Sequence, residues 1–403
     1  MAEQADASAS AEHCAVERVQ ARVNVAAIER NCARLGAQLT AGAQLCAVVK
    51  ANGYGHGAVQ SARAALAGGA SWLAVAGAAE LRELREAGIE RAPVLVMGAL
   101  TPAELAETLA LGGDIVAWSE RDVAAISAAG GGRVHVKLDS GMGRLGTRDP
   151  EQASAAARAA DQAPGVTLVG LMTHFATADE PADEGFFAAQ LRAFVQWTQE
   201  VLAEQPGLLV HAANSAATLR EPLARFDMVR CGIGIYGMDP FGEDPAERRL
   251  EPALELRSYV AAVKPLQAGQ STGYGRRFVA ERDTHIGILP VGYGDGWRRG
   301  LSDNADVLIA GRRFALVGTV SMDSVAVDLG GAEQLLGESA VLIGAQRGAR
   351  ITAEEVARRL DTINYEVSCA LTPRVPRVYH RDGAVEAGAG GGPARASDER
   401  TRT

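Results

Sequence analysis

Several things are scarce in this chain. Five cysteines stand among 403 residues (Cys14, Cys32, Cys46, Cys231 and Cys369), with no CxxC and no paired spacing. That excludes a disulfide scaffold, fits a reducing cytosol, and leaves no metal expected. Basic residues are outnumbered, 40 Lys and Arg against 49 Asp and Glu, for a net charge of -9. A balance of that sign argues against nucleic acid or an anionic membrane as partner. No apolar stretch reaches membrane-spanning length. The first residues, MAEQADASASAEH, have no apolar core and do not read as a secretory leader, so a cytoplasmic protein is expected. What is present is ordinary for a soluble globular chain, with 47% hydrophobic and 22% charged residues. The length exceeds one ordinary domain and suits two. Heavy use of Ala and Gly is consistent with genomic base composition alone.

Read in order, residues 1–17 are small and polar, the composition of a disordered tail. Residues 18–25 alternate Val with polar residues, as a strand does. Val25, Ile28, Cys32 and Leu35 follow at helical spacing, with Gly36 placed to cap that helix. From Lys50 a unit recurs in which a helical pattern ends in glycine and an apolar strand comes next. Helices at 58–66, 78–87, 102–111 and 121–129 precede strands at 72–76, 94–97, 114–118 and 134–138. Further strands are expected at 166–173, 208–212 and 227–233. With the run at 45–49 the count is eight, that of a (β/α)8 TIM-type barrel, with a doubly wound sheet as runner-up. The barrel is placed at 18–247, its first strand able to join the β-rich second domain instead. Past Pro240 the pattern becomes strands at 256–266, 284–291, 307–310, 314–320, 325–329 and 340–343, with one helix at 353–360. A β-rich, mostly antiparallel C-terminal domain is therefore expected at 248–383. Residues 384–403 read as a second disordered tail.

The chemistry gathers at strand ends. In residues 45–57, LCAVVKANGYGHG, an apolar run stops at Lys50, and a glycine-rich loop carrying Tyr54 and His56 comes after it. A strand buried on both faces would place that lysine at the mouth of the sheet, where barrels and open α/β sheets do their chemistry. Lys137 and Asp139 close the fifth strand, before SGMGRLG with Arg144. His174 closes the sixth. His211, Asn214 and Ser215 follow the seventh, and Arg230 lies on the eighth. Any one of these alone is more often structural; five such strand ends on one barrel are harder to dismiss. Residues 232–237, GIGIYG, match GxGxxG, but after the last strand and before a helix-breaking DPFG. They read better as backbone N–H groups offered to a phosphate than as a dinucleotide fingerprint.

The residues 47–57, AVVKANGYGHG, resemble the pyridoxal-phosphate lysine motif of alanine racemases, with Gly53 where alanine is usual. KLDSGMGRLG, THFATADE, HAANSAATLR, MVRCGIGIYG, TGYGRRF, PVGYGDGW, GTVSMDS and NYEVSCALTPRVPR resemble further motifs of that family, covering about residues 18–380. The resemblance implies a homodimeric enzyme that uses pyridoxal 5'-phosphate to interconvert L- and D-alanine, supplying D-alanine for peptidoglycan. It implies that Lys50 forms the Schiff base and serves as one base, with Tyr274 as the opposing base; a racemase needs one on each face of the substrate carbon. Tyr54, Ser215, Gly232, Ile233 and Tyr365 would hold the phosphate, with Asn214 beside them. Arg230 would face the pyridine nitrogen, and His174 would link Arg230 toward Tyr274. Arg144 would contact the substrate carboxylate, and Lys137 matches a lysine that is often carbamylated in the family. Tyr293, Met322 and Asp323 would reach the site from the other subunit. The rivals are a racemase of broader specificity, a pyridoxal-phosphate decarboxylase of similar build, and a non-catalytic binding protein; the last would lack both Tyr274 and the β domain.

Overall fold

Eight short apolar runs close into a parallel barrel. A computed structural model describes residues 17–385, apart from 41 and 181. Its barrel strands are β2 (Gln44–Val48), β3 (Trp72–Val75), β4 (Val94–Val96), β5 (Asp114–Ala117), β6 (Gly132–Lys137), β7 (Val166–Met172), β8 (Leu209–His211) and β9 (Met228–Cys231), with β9 pairing back onto β2. Strands β3, β4, β5 and β9 are buried along their whole length, because helices cover one face and the barrel interior the other. The crossover helices start where side chains can satisfy free N–H groups. Thr101 and Glu104 form a capping box, and Ser119 and Asp149 cap the next two helices. The first helix, Val25–Gly36, buries Val25, Ile28, Cys32 and Leu35; Gly36 is its last residue, and Ala37 caps it.

The strand that precedes this helix, β1 (Gln20–Asn24), is not part of the barrel. It pairs antiparallel with Leu254–Tyr259 and parallel with Arg377–Arg381, so the chain starts inside the second sheet. That sheet runs in the order Ala262–Leu266, Thr284–Leu289, Val325–Gly330, Arg312–Val317, Asp306–Ile309, Ser339–Gln346, Leu254–Tyr259, β1, Arg377–Arg381, Ala384–Val385. Here burial alternates, as in LELRSY of Leu254–Tyr259, because only one face meets the core. The single strand expected at 256–266 is two, divided at Val260 and Ala261. The halves lie far apart in the sheet order, since each pairs with a different neighbour. Ala384–Val385, expected in a tail, pair with Arg377–Arg381; the rest of the expected tails, 1–16 and 386–403, lies outside the described residues. No described helix is long and apolar enough to cross a membrane.

The segment expected as a loop after Lys50 is a tight helical turn of the opposite hand. Ala51, Asn52 and Gly53 all sit near φ 53–59° and ψ 46–50°, and Tyr54 has φ 52°. A side chain in that region costs about 1–2 kcal/mol per residue, so something must hold it. Glu80 accepts from the N–H groups of Ala51 and Ala76, both at 2.7 Å, and Asn52 Oδ1 accepts from Ala58 N–H at 3.1 Å. Arg377, on the second sheet, donates from Nε to Gly55 O at 3.0 Å and from its other nitrogens to Leu371, Thr372 and Val375 carbonyls. The lysine turn is thus clamped by a barrel helix and by the β domain.

Gly53 has a local reason to be glycine. A Cβ there would come 2.9 Å from Ser61 Oγ, which is buried without a hydrogen-bond partner. Gly53→Ala should lower stability by about 1–2 kcal/mol through conformation and crowding together. Adding Ser61→Ala should return part of that loss, because the clash and an unsatisfied hydroxyl vanish with one atom. Denaturant midpoints of the two single variants and the double variant measure the coupling. Strict additivity would show that the two sites do not press on each other.

Candidate active site

A cleft of ≈ 410 Å³ opens at the C-terminal mouth of the barrel, within the range of small-molecule sites. Lys50, Tyr54 and Arg144 line it with His174 and Arg230; so do Asn214, Ser215, Gly232, Ile233 and Tyr365. Ten of the residues picked out by motif therefore meet in one place. Burial first, and then the Arg144 guanidinium, pull the Lys50 amine below the ordinary lysine range. A larger neutral fraction makes it a better nucleophile and base.

One end of the cleft is built of hydroxyl donors. Ser215 Oγ accepts from Gly232 N–H and Gly234 N–H, both at 3.1 Å. Gly232 N–H, which the sequence reading offered to a phosphate, is taken up by Ser215 in this structure. Two acceptances leave that hydroxyl's own proton to be donated outward. Among the described residues, Tyr54 Oη and Tyr365 Oη make no hydrogen bond, and burial raises both phenols, so they stay protonated. Tyr54 reaches the turn after β9 only because residue 232 is glycine; a Cβ there would lie 2.2 Å from Tyr54 Oη. Asn214 Oδ1 caps the helix Ser215–Arg220 through Ala217 N–H at 2.9 Å.

Arg230 is 3% exposed and has no carboxylate partner among the described residues. Its Nη1 donates to His211 Nδ1 at 2.9 Å. Its Nη2 donates to Thr173 O at 2.8 Å and Ala212 O at 3.1 Å, with His174 Nδ1 at 3.2 Å. None of these bonds uses Nε. Burial lowers its pKa to about 10, so it remains a cation at neutral pH. Burial, followed by Arg230, Arg144, Lys137 and Lys50, drives His174 well below the usual histidine value; it is neutral and accepts from Arg230. Lys137, 4% exposed, lies under the cleft rather than in its wall. Asp139 shapes the next loop by accepting from Gly141 N–H and Gly143 N–H at 2.9–3.1 Å.

Besides Lys137, four of the motif-derived site residues do not line this cleft. Tyr274, Tyr293, Met322 and Asp323 sit on the β domain, and the first three are exposed large side chains, Tyr274 at 73%. Hydrogen bonds to backbone carbonyls tie their loops together: Thr319 Oγ1 donates to Tyr274 O, Tyr293 N–H to Ser321 O, and Gly294 N–H to Met322 O. Within one chain, His174 therefore reaches Arg230 but not Tyr274. Residue-by-residue reading missed the apolar wall of Met97, Met142, Phe175 and Ile363, and also Asp179 and Cys369. Met142, Phe175, Asp179 and Cys369 lie inside quoted motifs, KLDSGMGRLG, THFATADE and NYEVSCALTPRVPR; Met97 and Ile363 carry no such signal.

These residues fit pyridoxal phosphate. A depressed amine stands ready for a carbonyl. Three hydroxyl donors converge where an anion would sit, in a pocket that a Cβ at 232 would close. No group of acidic, His or Cys side chains that could hold a metal occurs among the described residues.

Comparison with known proteins agrees. Residues 23–240 match the alanine racemase N-terminal domain family and residues 253–379 the alanine racemase C-terminal domain family. The chain is 40% identical to alanine racemase 1 of Bacillus subtilis over 373 residues, covering 91% of this chain and 94% of that one. It is 42% identical to the alanine racemase of Geobacillus stearothermophilus over 370 residues, covering 90% and 93%. Among solved structures, alanine racemase from E. faecalis superposes with TM-score 0.84 at 36% identity, over 90% of this chain and 98% of that one. The Bacillus anthracis alanine racemase with bound L-Ala-P gives 0.84 at 35%, over 92% and 96%.

Lys137 carries a pH signature. Burial, with Arg230 and Arg144 adding to it, lowers its amine from 10.5 to about 8. Between those values the folded chain binds fewer protons than the unfolded one, so stability rises with pH there. Below about 8 the penalty of a protonated Lys137 is fully present. Lys137→Met should therefore raise stability at neutral pH by up to about 3 kcal/mol, and the gain should fade as pH climbs toward 10.5. Denaturant midpoints in carbonate-free buffer test this; an equal gain at pH 7 and pH 10, both values chosen as roughly the ends of the window, would refute it.

Proposed function

The chain belongs to the alanine racemase family and interconverts L-alanine and D-alanine; we propose that it does so with pyridoxal 5'-phosphate on Lys50 and with Lys50 and Tyr274 as opposed bases. The observation that carries this reading is the Lys50 amine, depressed by burial and by Arg144, in one cleft with the hydroxyls of Tyr54, Ser215 and Tyr365. When bound, the cofactor supplies a carbonyl for an amine to capture and a conjugated ring to accept the electron pair left at the substrate carbon.

The chain's own residues do the rest. Tyr54, Ser215, Tyr365 and the Ile233 N–H hold the phosphate, and Asn214 sets the helix that presents Ser215. Arg230, whose Nε–H is left unbonded, would face the ring nitrogen. A guanidinium does not readily give up its proton, so that nitrogen would stay unprotonated and the electron sink would stay modest. Arg144 pairs with the substrate carboxylate. Carbamylation of Lys137 would turn the cation beside Arg144 into an anion, and the low amine pKa favours that reaction because only the neutral amine attacks CO2. At the substrate α-carbon, Lys50 removes or returns the proton on one face and Tyr274 does so on the other.

Tyr274 does not line the cleft of its own chain and stands exposed with Tyr293 and Met322 on the β domain, which supports a role across a dimer. A two-fold dimer places that surface over the partner's cleft, so each site is shared, with Asp323 in the same rim. The enzyme is cytoplasmic in this reading and supplies D-alanine for peptidoglycan.

Two experiments test it. Borohydride treatment of the cofactor-loaded protein should bleach its visible absorbance and leave one reduced adduct, mapped by mass spectrometry to Lys50. An adduct on Lys137 or Lys264 would overturn the assignment. Lys50→Ala and Tyr274→Phe chains should each be nearly inactive alone. After complete subunit exchange half the dimers are mixed, each with one intact site, so activity should return to about a quarter of wild type. No recovery, with exchange verified by mass-tagging one chain, would show that Tyr274 is not a base contributed across the dimer.

A further inference from the structure

A chain of buried polar groups crosses the barrel from its floor to Arg230. Asp114 opens β5, His135 lies within β6, His211 ends β8 and Arg230 lies on β9. Both histidines are fully buried, and Asp114 is 1% exposed. The contacts are continuous: Arg230 Nη1 to His211 Nδ1 at 2.9 Å, His211 Nε2 to His135 Nδ1 at 2.9 Å, and His135 Nε2 to Asp114 Oδ2 at 3.2 Å. Arg133, half-exposed at the floor, closes the run by donating Nε to Asp114 Oδ1 at 2.9 Å. Gly170 makes room for it, since a Cβ there would lie 2.9 Å from His135 Nδ1.

The chemistry allows one direction of donation. A guanidinium only donates, so His211 Nδ1 must accept. The neutral His211 then carries its proton on Nε2 and donates to His135 Nδ1. By the same step His135 carries its proton on Nε2 and donates to Asp114, which as a carboxylate only accepts. Barrel interiors are ordinarily filled by branched apolar side chains, and a buried polar network is tolerable only when every member is satisfied. Here every member is satisfied in one sense only.

We propose that Asp114 and His135 act through His211 as a one-way hydrogen-bond relay that positions Arg230 as the donor toward the cofactor's ring nitrogen. The proposal rests on the role given to Arg230 above. The carboxylate at the floor orients each imidazole and strengthens the acceptor that holds the guanidinium. If His135 loses its acceptor or is removed, His211 is free to take the other tautomer. Its Nδ1–H would then face a guanidinium N–H, donor against donor, and Arg230 would turn from the ring.

The test starts with protein free of cofactor. In chains labelled with 15N in the imidazoles, both His135 and His211 should show a bare Nδ1 and a protonated Nε2. The opposite tautomer at either one overturns the relay. His135→Phe keeps the ring shape and removes the relay; His135→Gln keeps one donor and one acceptor. With the cofactor bound, His135→Phe should lower racemisation at least about tenfold and raise transamination events per racemisation by a similar factor. The 15N signal of ring-labelled pyridoxal phosphate should move toward the protonated position. His135→Gln should restore most of each. An unchanged ring signal and reaction ratio in His135→Phe would refute the relay. Should that variant not fold, the wild-type tautomers and the His135→Gln ring signal decide. Absence of racemisation by the wild type would overturn the functional reading alone, because the tautomers are read without cofactor.

Discussion

Burial of Arg230 without a carboxylate beside it is the constraint around which the barrel's interior is arranged. A buried charge must be compensated by hydrogen bonds, or it costs several kcal/mol. Carbonyls of Thr173 and Ala212 and the imidazoles of His174 and His211 supply the acceptors. Each comes from the end of β7 or β8, so the register of those strands against β9 is tied to the position of one guanidinium. The countercharge is remote: the carboxylate reached through two neutral imidazoles. That distance matters chemically. An adjacent carboxylate would invite the cofactor's ring nitrogen to become protonated, whereas a guanidinium held by neutral acceptors keeps its proton and only donates.

The second requirement is to hold a lysine at the mouth of β2 in one place. The chain meets it with a strained turn. Ala51, Asn52 and Tyr54 are left-handed although none is glycine, which is stable only under contacts from several sides. Glu80 supplies them from the barrel and Arg377 from the β domain. The β domain therefore does more than carry Tyr274. It is part of the clamp on Lys50, and β1 laces the N-terminus into the same sheet. A barrel cut away from that sheet would keep its eight strands and lose the conformation of its lysine.

How much was legible in the sequence depends on these physical differences. Parallel strands buried on both faces leave unbroken apolar runs, and helices that stop at glycine punctuate them, so the barrel could be read residue by residue. The β domain was legible as strands but not as pairings. Nothing in LELRSYVAAVKPL marks Val260 and Ala261 as the point where one strand ends and a distant one begins, because both halves keep a strand-like composition. The hand of the turn after Lys50 was not legible, since Asn52 and Gly53 tolerate it but Ala51 and Tyr54 do not favour it, and the groups that enforce it lie 29 and 322 residues away in sequence. Motifs located the cleft because they lie at strand ends. The relay was out of reach because Asp114, His135 and His211 have no fixed spacing; they are neighbours only through barrel closure.

Closure also explains the charge of the site. Lys50, Lys137, Arg144 and Arg230 converge closely enough that all four depress His174, and Arg144 and Arg230 depress both lysines. Four cations in so small a space would repel one another in an empty cleft. The two acids nearest by sequence do not cancel this: Asp139 is engaged by its own loop and Arg148, and Asp179 stands at the rim. The missing negative charge must arrive with the ligands. A phosphate and a substrate carboxylate bring it, which makes the electrostatic cost of the empty site part of the affinity for the loaded one. Added to their burial, the same imbalance lowers both lysine amines before anything binds. The charge that draws the anions in and the pKa that makes Lys50 reactive are therefore two consequences of one arrangement.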